Sequence, residues 1–275
     1  MKDQQFSVEG KVIFITGALG QIGVEISKNF LQQKAKVVLA DIDVQKKVSV
    51  MELFTAYSVS EDDYLIVQTD ITRQDECMDA VVKTIEKFQK IDVLINNAAI
   101  DAKFDTTNSS KINRSRFENY PVELLRRSVE VNLIGTVIIT QAVCRQMLKQ
   151  GYGNIINVAS TYSLVAPNQS LYDFGEGIAN YKPVDYIASK SFIPNFTRYL
   201  ATFYAKEGIR ANAIAPHGVY NNHPEQFLAN WSKLSPMGRM CDKGELIGPF
   251  TFLASDASSY MTGALLVVDG GWTAW

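Results

Sequence analysis

The sequence predicts an α/β fold: a doubly wound, mainly parallel seven-stranded sheet with helices on both faces. Three observations predict it. Short runs of β-branched residues recur along the chain, longer segments of helical character lie between most of them, and three glycines stand directly after the first run. Strand and helix in alternation read as a parallel sheet covered on both sides.

The predicted strands are 12–15, 37–39, 64–67, 93–95, 155–158, 209–214 and 265–268. Helical segments are predicted over 21–33, 72–89, 121–149, 184–207 and 243–254. In the first of these Ile22, Ile26 and Phe30 recur at four-residue spacing, a stripe that belongs against the sheet. Three stretches break the rhythm: 101–120, 161–185 and 220–242. Each follows a predicted strand, so in a doubly wound sheet all three emerge at the carboxyl edge, where ligands bind. Loops this long usually carry function. No Pro/Gly/Ser-rich linker, repeat or low-complexity tract divides residues 1–275, which are read as a single domain.

Composition narrows the class without naming the chemistry. Of 275 residues 47% are hydrophobic and 20% charged, as in globular proteins with a sizeable core. With 27 basic against 29 acidic residues the formal charge is −2, so no nucleic-acid partner is expected. No uncharged apolar run approaches the ~18 residues of a membrane span, and no signal-peptide pattern opens the chain, so no membrane partner and a cytoplasmic location are expected. Cys77, Cys144 and Cys241 are odd in number and far apart, and His217 and His223 are the only histidines. That pattern predicts neither a disulfide framework nor a metal site.

Gly17, Gly20 and Gly23, with Gln21 and Ile22 between, sit where the first strand passes into the first helix. Glycines there let the backbone approach a pyrophosphate, and the helix N-terminus supplies N–H groups and partial positive charge. Asp41 ends the second strand 18 residues after Gly23, where a carboxylate can accept from ribose hydroxyls and would repel a 2′-phosphate. NAD is therefore favoured over NADP, although Asp41 could also serve only as a helix-capping residue. Asp70 and Ile71 follow the third strand as further nucleotide contacts, and Asn97, Ala98 and Ala99 follow the fourth, the alanines small enough for a cofactor to lie close.

Tyr186 and Lys190 stand four residues apart on one face of a predicted helix. A neighbouring cation stabilises phenolate, so the pair is expected to draw the Tyr186 pKa down toward working pH. Ser160 follows the fifth strand and Asn132 lies on the preceding helix.

With these residues in order, the sequence resembles the short-chain dehydrogenase/reductase family from Gly10 to Gly271. The resemblance implies a Rossmann-like fold and hydride exchange between NAD(H) and a secondary alcohol or ketone. It implies Tyr186 as general acid/base, Lys190 as its pKa modulator and ribose contact, and Ser160 as the group that orients the substrate oxygen. Asn132 would hold a water of the proton relay. Asn97, Pro216, Gly218 and Val219 would line the nicotinamide site, and a homodimer or homotetramer is implied. The chain departs from the family pattern at Gln21, where a glycine is usual, at His217 after Pro216, and at Tyr220-Asn221 in place of a threonine. The intervals Ser160 to Tyr186 and Asn97 to Asn132 are also long, at 26 and 35 residues.

A narrower resemblance, carried by 216–223, is to dehydrogenases of surface-glycan and flagellin-sugar modification. The insertions offer Lys103, Lys111, Arg114 and Arg116, then Asn168, Gln169, Tyr172, Asp173, Glu176, Asn180 and Tyr181. Such donors and acceptors suit a small, polar, sugar-like substrate. The alternatives are a 3-oxoacyl-thioester or lipid ketone reductase, and a dinucleotide-sensing protein without catalysis.

Overall fold

The computed structural model describes residues 4–101, 113–173 and 180–275. Seven strands form one sheet: β1 (Val12–Thr16), β2 (Lys36–Asp41), β3 (Tyr64–Gln68), β4 (Val93–Asn96), β5 (Gly153–Val158), β6 (Ile209–Pro216) and β7 (Leu265–Val268). Their order is β3-β2-β1-β4-β5-β6-β7. Every neighbouring pair is parallel, with Phe14 opposite Val38 and Ile15 opposite Ile95. The sheet is thus wholly parallel where the sequence predicted mainly parallel, and the order reverses between β1 and β4. That reversal opens a crevice at the strands' carboxyl ends.

Helices α1 (Gln21–Gln32), α2 (Lys47–Ala56), α3 (Gln74–Phe88), α4 (Val122–Val129), α5 (Thr136–Gln150), α6 (Val184–Lys190), α7 (Ile193–Tyr204), α8 (Glu225–Leu234) and α9 (Ile247–Ala254) are the described α-helices. Side chains of β1 divide by parity. Ile13 and Ile15 pack in one core with Ile26 and Phe30 of α1 and Phe250 and Leu253 of α9. Val12 and Phe14 pack in the other with Cys77, Ala80 and Val81 of α3 and Ile139, Val143 and Met147 of α5. Each large side chain buried this way contributes roughly 1.5–3 kcal/mol. Register is fixed by the same burial, because a slip of one residue would exchange the two faces.

The structure corrects three predicted segments and adds one helix. The stretch 121–149 is interrupted by a π-helical turn at Glu130–Gly135. Here Ile71 fills the space a side chain on Gly135 would need, its Cγ1 lying 2.7 Å from where a Cβ would stand. The stretch 184–207 breaks after Lys190 and restarts at Ile193; Pro194, which cannot donate a backbone hydrogen bond, sits in the new first turn. Within 220–242, read as loop, α8 forms and buries Phe227 and Trp231, one turn apart. Lys47–Ala56 was not predicted at all, because only Val50 and Phe54 of its apolar residues are fully buried and Val48 is exposed, which blurs the stripe.

Among the described residues one helical stretch, Val122–Gln150, is long and apolar enough to cross a membrane by length and composition, with mean hydropathy 1.3. Half of that window is buried inside the protein. Packing of Ile139, Val143 and Met147 on the sheet accounts for its apolar character.

Candidate active site

A single cleft of about 1220 Å³ runs along the carboxyl edge of the sheet, from Asp41 at one end to Trp231 at the other. That exceeds the usual volume of a small-molecule pocket, roughly 300–1,000 Å³, and gives room for two ligands end to end.

At the first end the glycine loop is held from below. Gly17 has φ +61°, and a Cβ there would stand 2.7 Å from the Ala98 Cα. A Cβ on Gly23 would stand 2.4 Å from the Gly17 carbonyl oxygen, so Gly23 lies behind the cleft and seats α1 on the loop. Thr16 Oγ1 accepts from the backbone N–H groups of Asn97 and Ala98 at 3.1 and 3.0 Å. The Asn97 amide donates to the carbonyls of Thr16 and Gly17, both at 3.0 Å. Helix α1 starts at Gly20 with no side chain capping its first N–H groups, a donor set suited to phosphate oxygens. Asp41 accepts from the N–H of Leu19 at 2.9 Å and of Asp43 at 3.0 Å. Its carboxylate therefore braces the loop as well as lining the cleft. Asp70 accepts from Thr72 N and Oγ1 at 2.9 and 2.7 Å and lines the same wall. The cradle, free helix terminus and carboxylate fit a dinucleotide.

Midway along the cleft, Ser160, Tyr186 and Lys190 come together. Ser160 follows β5, its hydroxyl accepting from Tyr162 N at 3.2 Å. Lys190 is buried and donates from Nζ to the Val158 carbonyl at 2.7 Å. Desolvation brings its pKa down to about 8. Burial pushes the Tyr186 phenol up, the Asp101 charge adds to this, and a hydrogen bond with Ser160 pulls the other way. The expected lowering by Lys190 is therefore not seen in this structure: the ammonium is turned onto Val158, and desolvation dominates the phenol. Asn132 is buried behind the cleft, on the π-helical turn. Its side chain accepts from Ile100 N at 2.8 Å and donates to Ile100 O and Ser189 Oγ, both at 2.9 Å. These bonds tie the segment after β4 to α6 and make the Asn132 side chain a brace between them.

The far end is walled by Tyr162, Tyr172, Phe227, Trp231 and Met240. His217 stacks between Trp231 and Trp272, ring centroids 4.4 and 4.3 Å away, with Nδ1 against Thr161 Oγ1. Burial lowers its pKa to about 3, so the ring is neutral at physiological pH. Trp231 packs on Gly218, whose φ is +52° and where a Cβ would stand 1.9 Å from the indole. Polar groups facing this end include Asp101, Asn180, Lys182 and Gln226. Lys182 donates to both Asp101 oxygens at 2.6 Å, and its ammonium lies 4.5 Å from the Tyr186 ring centroid.

Of the residues expected to contact the cofactor, Gly17, Gly20, Gln21, Ile22, Asp41, Asp70, Ile71, Asn97, Ala98, Ala99, Pro216, Gly218 and Val219 line the cleft, and Gly23 does not. Of the expected substrate contacts, Tyr172 and Asn180 line it, whereas Arg116 pairs with Glu118 at 2.6 Å outside it and Arg114 does not reach it. Lys103, Lys111 and Glu176 lie outside the described residues. Sequence reasoning missed Asp101, Lys182 and the aromatic wall. Lys182 stands four residues before Tyr186, just ahead of Pro183, which was the available signal. Two departures from the family pattern meet here: Gln21 Nε2 donates to the Tyr220 carbonyl at 2.6 Å, across the cleft.

The family model described as Enoyl-(Acyl carrier protein) reductase matches residues 17–273. The chain is 30% identical over 265 residues to a post-translational flagellin modification protein A of Campylobacter coli, covering 96% of this chain and 99% of that one. It is 31% identical over 276 residues to an NAD-dependent glycerol dehydrogenase of Listeria innocua, covering 98% and 97%. A crystal structure of a short-chain dehydrogenase from Leptospira borgpetersenii with bound NAD+ superposes with a TM-score of 0.81 at 31% identity, covering 97% and 94%. With a wholly parallel Rossmann-like sheet, a dinucleotide cradle and this similarity over nearly its full length, the chain belongs to the short-chain dehydrogenase/reductase family, whose members act on CH–OH groups with NAD(P).

Proposed function

We propose that the protein is an NAD(H)-dependent oxidoreductase interconverting a secondary alcohol and a ketone on a small, polar, sugar-like molecule, in surface-glycan or flagellin-sugar biosynthesis. The observation that carries this reading is that Ser160, Tyr186 and Lys190 stand between a dinucleotide cradle and an aromatic chamber with polar groups, all in one cleft. Bound in the cradle, a nicotinamide supplies the hydride acceptor or donor. Tyr186 exchanges the proton: its phenol donates to a ketone oxygen in reduction, and its phenolate accepts from an alcohol in oxidation. Ser160 holds the same substrate oxygen. Lys190, buried with its ammonium on the Val158 carbonyl, would hold the nicotinamide ribose of a bound cofactor. Asn132 positions the segment 97–101 and Ser189.

Preference for NAD is part of the proposal and rests on Asp41, whose charge opposes a 2′-phosphate. Self-association is another part. Tyr199 and Phe203 of α7 are each 57% exposed with ring centroids 5.5 Å apart, an aromatic face that a second copy would cover; light scattering reads dimer or tetramer against monomer. The runner-up, reduction of a 3-oxoacyl thioester, is favoured by Phe227, Trp231 and Met240 in the chamber wall and by the description of the matching family.

The test is a nicotinamide-absorbance screen of the purified protein with NAD(H) and NADP(H) against polyols, sugars, sugar acids, nucleotide sugars and 3-oxoacyl thioesters. Turnover of a polyhydroxy compound with NAD is expected. Turnover confined to acyl thioesters or steroids would overturn the substrate class and leave the reaction type standing.

A further inference from the structure

The Asp101–Lys182 ion pair at the reactive end of the cleft narrows the substrate further, and this step rests on the alcohol–ketone reading given above. We propose that Asp101, held in place by Lys182, reads a second hydroxyl on the carbon next to the reacting one, so that the substrate is a vicinal diol and the product its α-hydroxyketone.

Both partners are anchored to the proposed catalytic elements. Asp101 follows Ile100, whose N–H and carbonyl are each bonded to the Asn132 side chain. Lys182 lies four residues before Tyr186, and its backbone N–H donates to Gln169 Oε1 at 2.8 Å. The Lys182 side chain is only 8% exposed, whereas that of Asp101 is 49% exposed. Two of the ammonium's three N–H groups are thus engaged by the pair, and the carboxylate keeps acceptor capacity toward the cleft: a carboxylate offers about four lone-pair sites, and Lys182 engages one on each oxygen.

A hydroxyl both donates and accepts, which this pair can answer on both counts. Its proton goes to Asp101 and its oxygen can take an N–H of Lys182. The ammonium stands 4.5 Å from the Tyr186 ring centroid, and hydrogen bonds reach about 2.7–3.0 Å. The pair therefore flanks the ring of the proposed acid/base and faces the substituents nearest the reacting carbon. The pair is electrically balanced, and Asp101 would repel a carboxylate or phosphate at that position. It selects for a hydroxyl and against an anion.

The experiment compares cyclohexane-1,2-diol with cyclohexanol as substrates for NAD-dependent oxidation by the purified full chain. For the wild type, kcat/KM is expected to favour the diol. In Asp101→Ala the diol-to-alcohol ratio should fall roughly 10- to 150-fold, the loss of one hydrogen bond to a charged group. Asp101→Glu should recover part of the ratio, which a purely structural role would not do. Lys182→Met should lower the same ratio by releasing Asp101. NADH fluorescence titration of each variant reports an intact cradle and hence an intact fold. A ratio unchanged in Asp101→Ala, or a wild type indifferent to the second hydroxyl, overturns this inference alone. A wild type that oxidises neither compound overturns the parent reading and the inference with it.

Discussion

Replacing Lys190 by Met should make the protein more stable and inactive. The ammonium is buried, and desolvation brings its pKa to about 8 from the ordinary 10.5. That gap corresponds to roughly 3 kcal/mol of disfavour for the charged form in the fold. Methionine keeps the length without the charge but gives up the charged bond to the Val158 carbonyl, which costs about 1.5–3 kcal/mol. A net gain of up to about 1.5 kcal/mol remains near pH 7, or up to roughly 6 °C in Tm. The sign of the pH dependence is fixed. Between pH 8 and 10.5 the unfolded lysine holds its proton while the folded one has released it, so wild-type stability from this group rises with pH and the advantage of Met shrinks. Tyr186, raised by burial, acts in the opposite sense and only above about pH 10, where the unfolded phenol ionises first. The buried thiols of Cys77 and Cys144, both pushed up to about 12, are common to both proteins and cancel in the difference. Differential scanning fluorimetry of both proteins from pH 6.5 to 9.5 measures the gap directly. A Met variant less stable than wild type at pH 7, or a gap that does not narrow with rising pH, would refute the reasoning.

Tyr186→Phe should cut kcat by about 10²–10⁴-fold, the value of a positioned acid/base, while fluorescence titration shows NADH affinity retained; near-wild-type turnover would remove Tyr186 from the mechanism. Asp41→Ala should narrow the preference for NADH over NADPH, with Lys46 on the same rim available to a 2′-phosphate; dissociation constants for both cofactors decide it, and tighter NADPH binding by the wild type would contradict the assignment. Gly17→Ala should weaken NADH binding at least about tenfold and cost roughly 1–2 kcal/mol, since an L side chain is strained at φ +61° and its Cβ meets Ala98. Asp101→Asn should shift the alkaline rise of alcohol oxidation to lower pH, because the Asp101 charge helps hold the phenol up. The other groups facing that ring, Lys182, Ser160 and Tyr162, stay in place, and a kcat–pH profile reads the shift.

The cofactor half was legible because its chemistry is local. Gly17, Gly20 and Gly23 are spaced by backbone sterics that any dinucleotide cradle must satisfy, and Asp41 follows from strand length alone. Strand positions were legible for a similar reason: strands buried on both faces read as continuous apolar runs. The substrate half depends on contacts between distant segments. Nothing local to Asp101 announces that it will meet Lys182, 81 residues on, or that Gln21 will reach Tyr220. Trp272 and Trp275 look alike in sequence, yet Trp272 is buried against His217 and Trp231 while Trp275 is 80% exposed. Counting the polar residues of the insertions pointed to a polar pocket, but Arg116 turned to Glu118 and Tyr162, Tyr172 and Phe227 turned inward.

An aromatic wall and a polar reactive end are compatible requirements of one kind of ligand. A sugar or cyclic polyol has apolar C–H faces and polar edges, so rings such as Tyr172, Phe227 and Trp231 can cover the faces while Asp101, Lys182, Asn180 and Gln226 take the hydroxyls. An acyl chain would use the same wall but would lie against the Asp101–Lys182 pair with no group to offer it. Covering that pair strips water from the half-exposed carboxylate without replacing its hydrogen bonds, at a cost of several kcal/mol. Discrimination is then exerted beside Tyr186 rather than at the mouth of the cleft. A hydroxylated substrate gains at the point where an acyl substrate loses, and the two classes separate even though both fit the chamber.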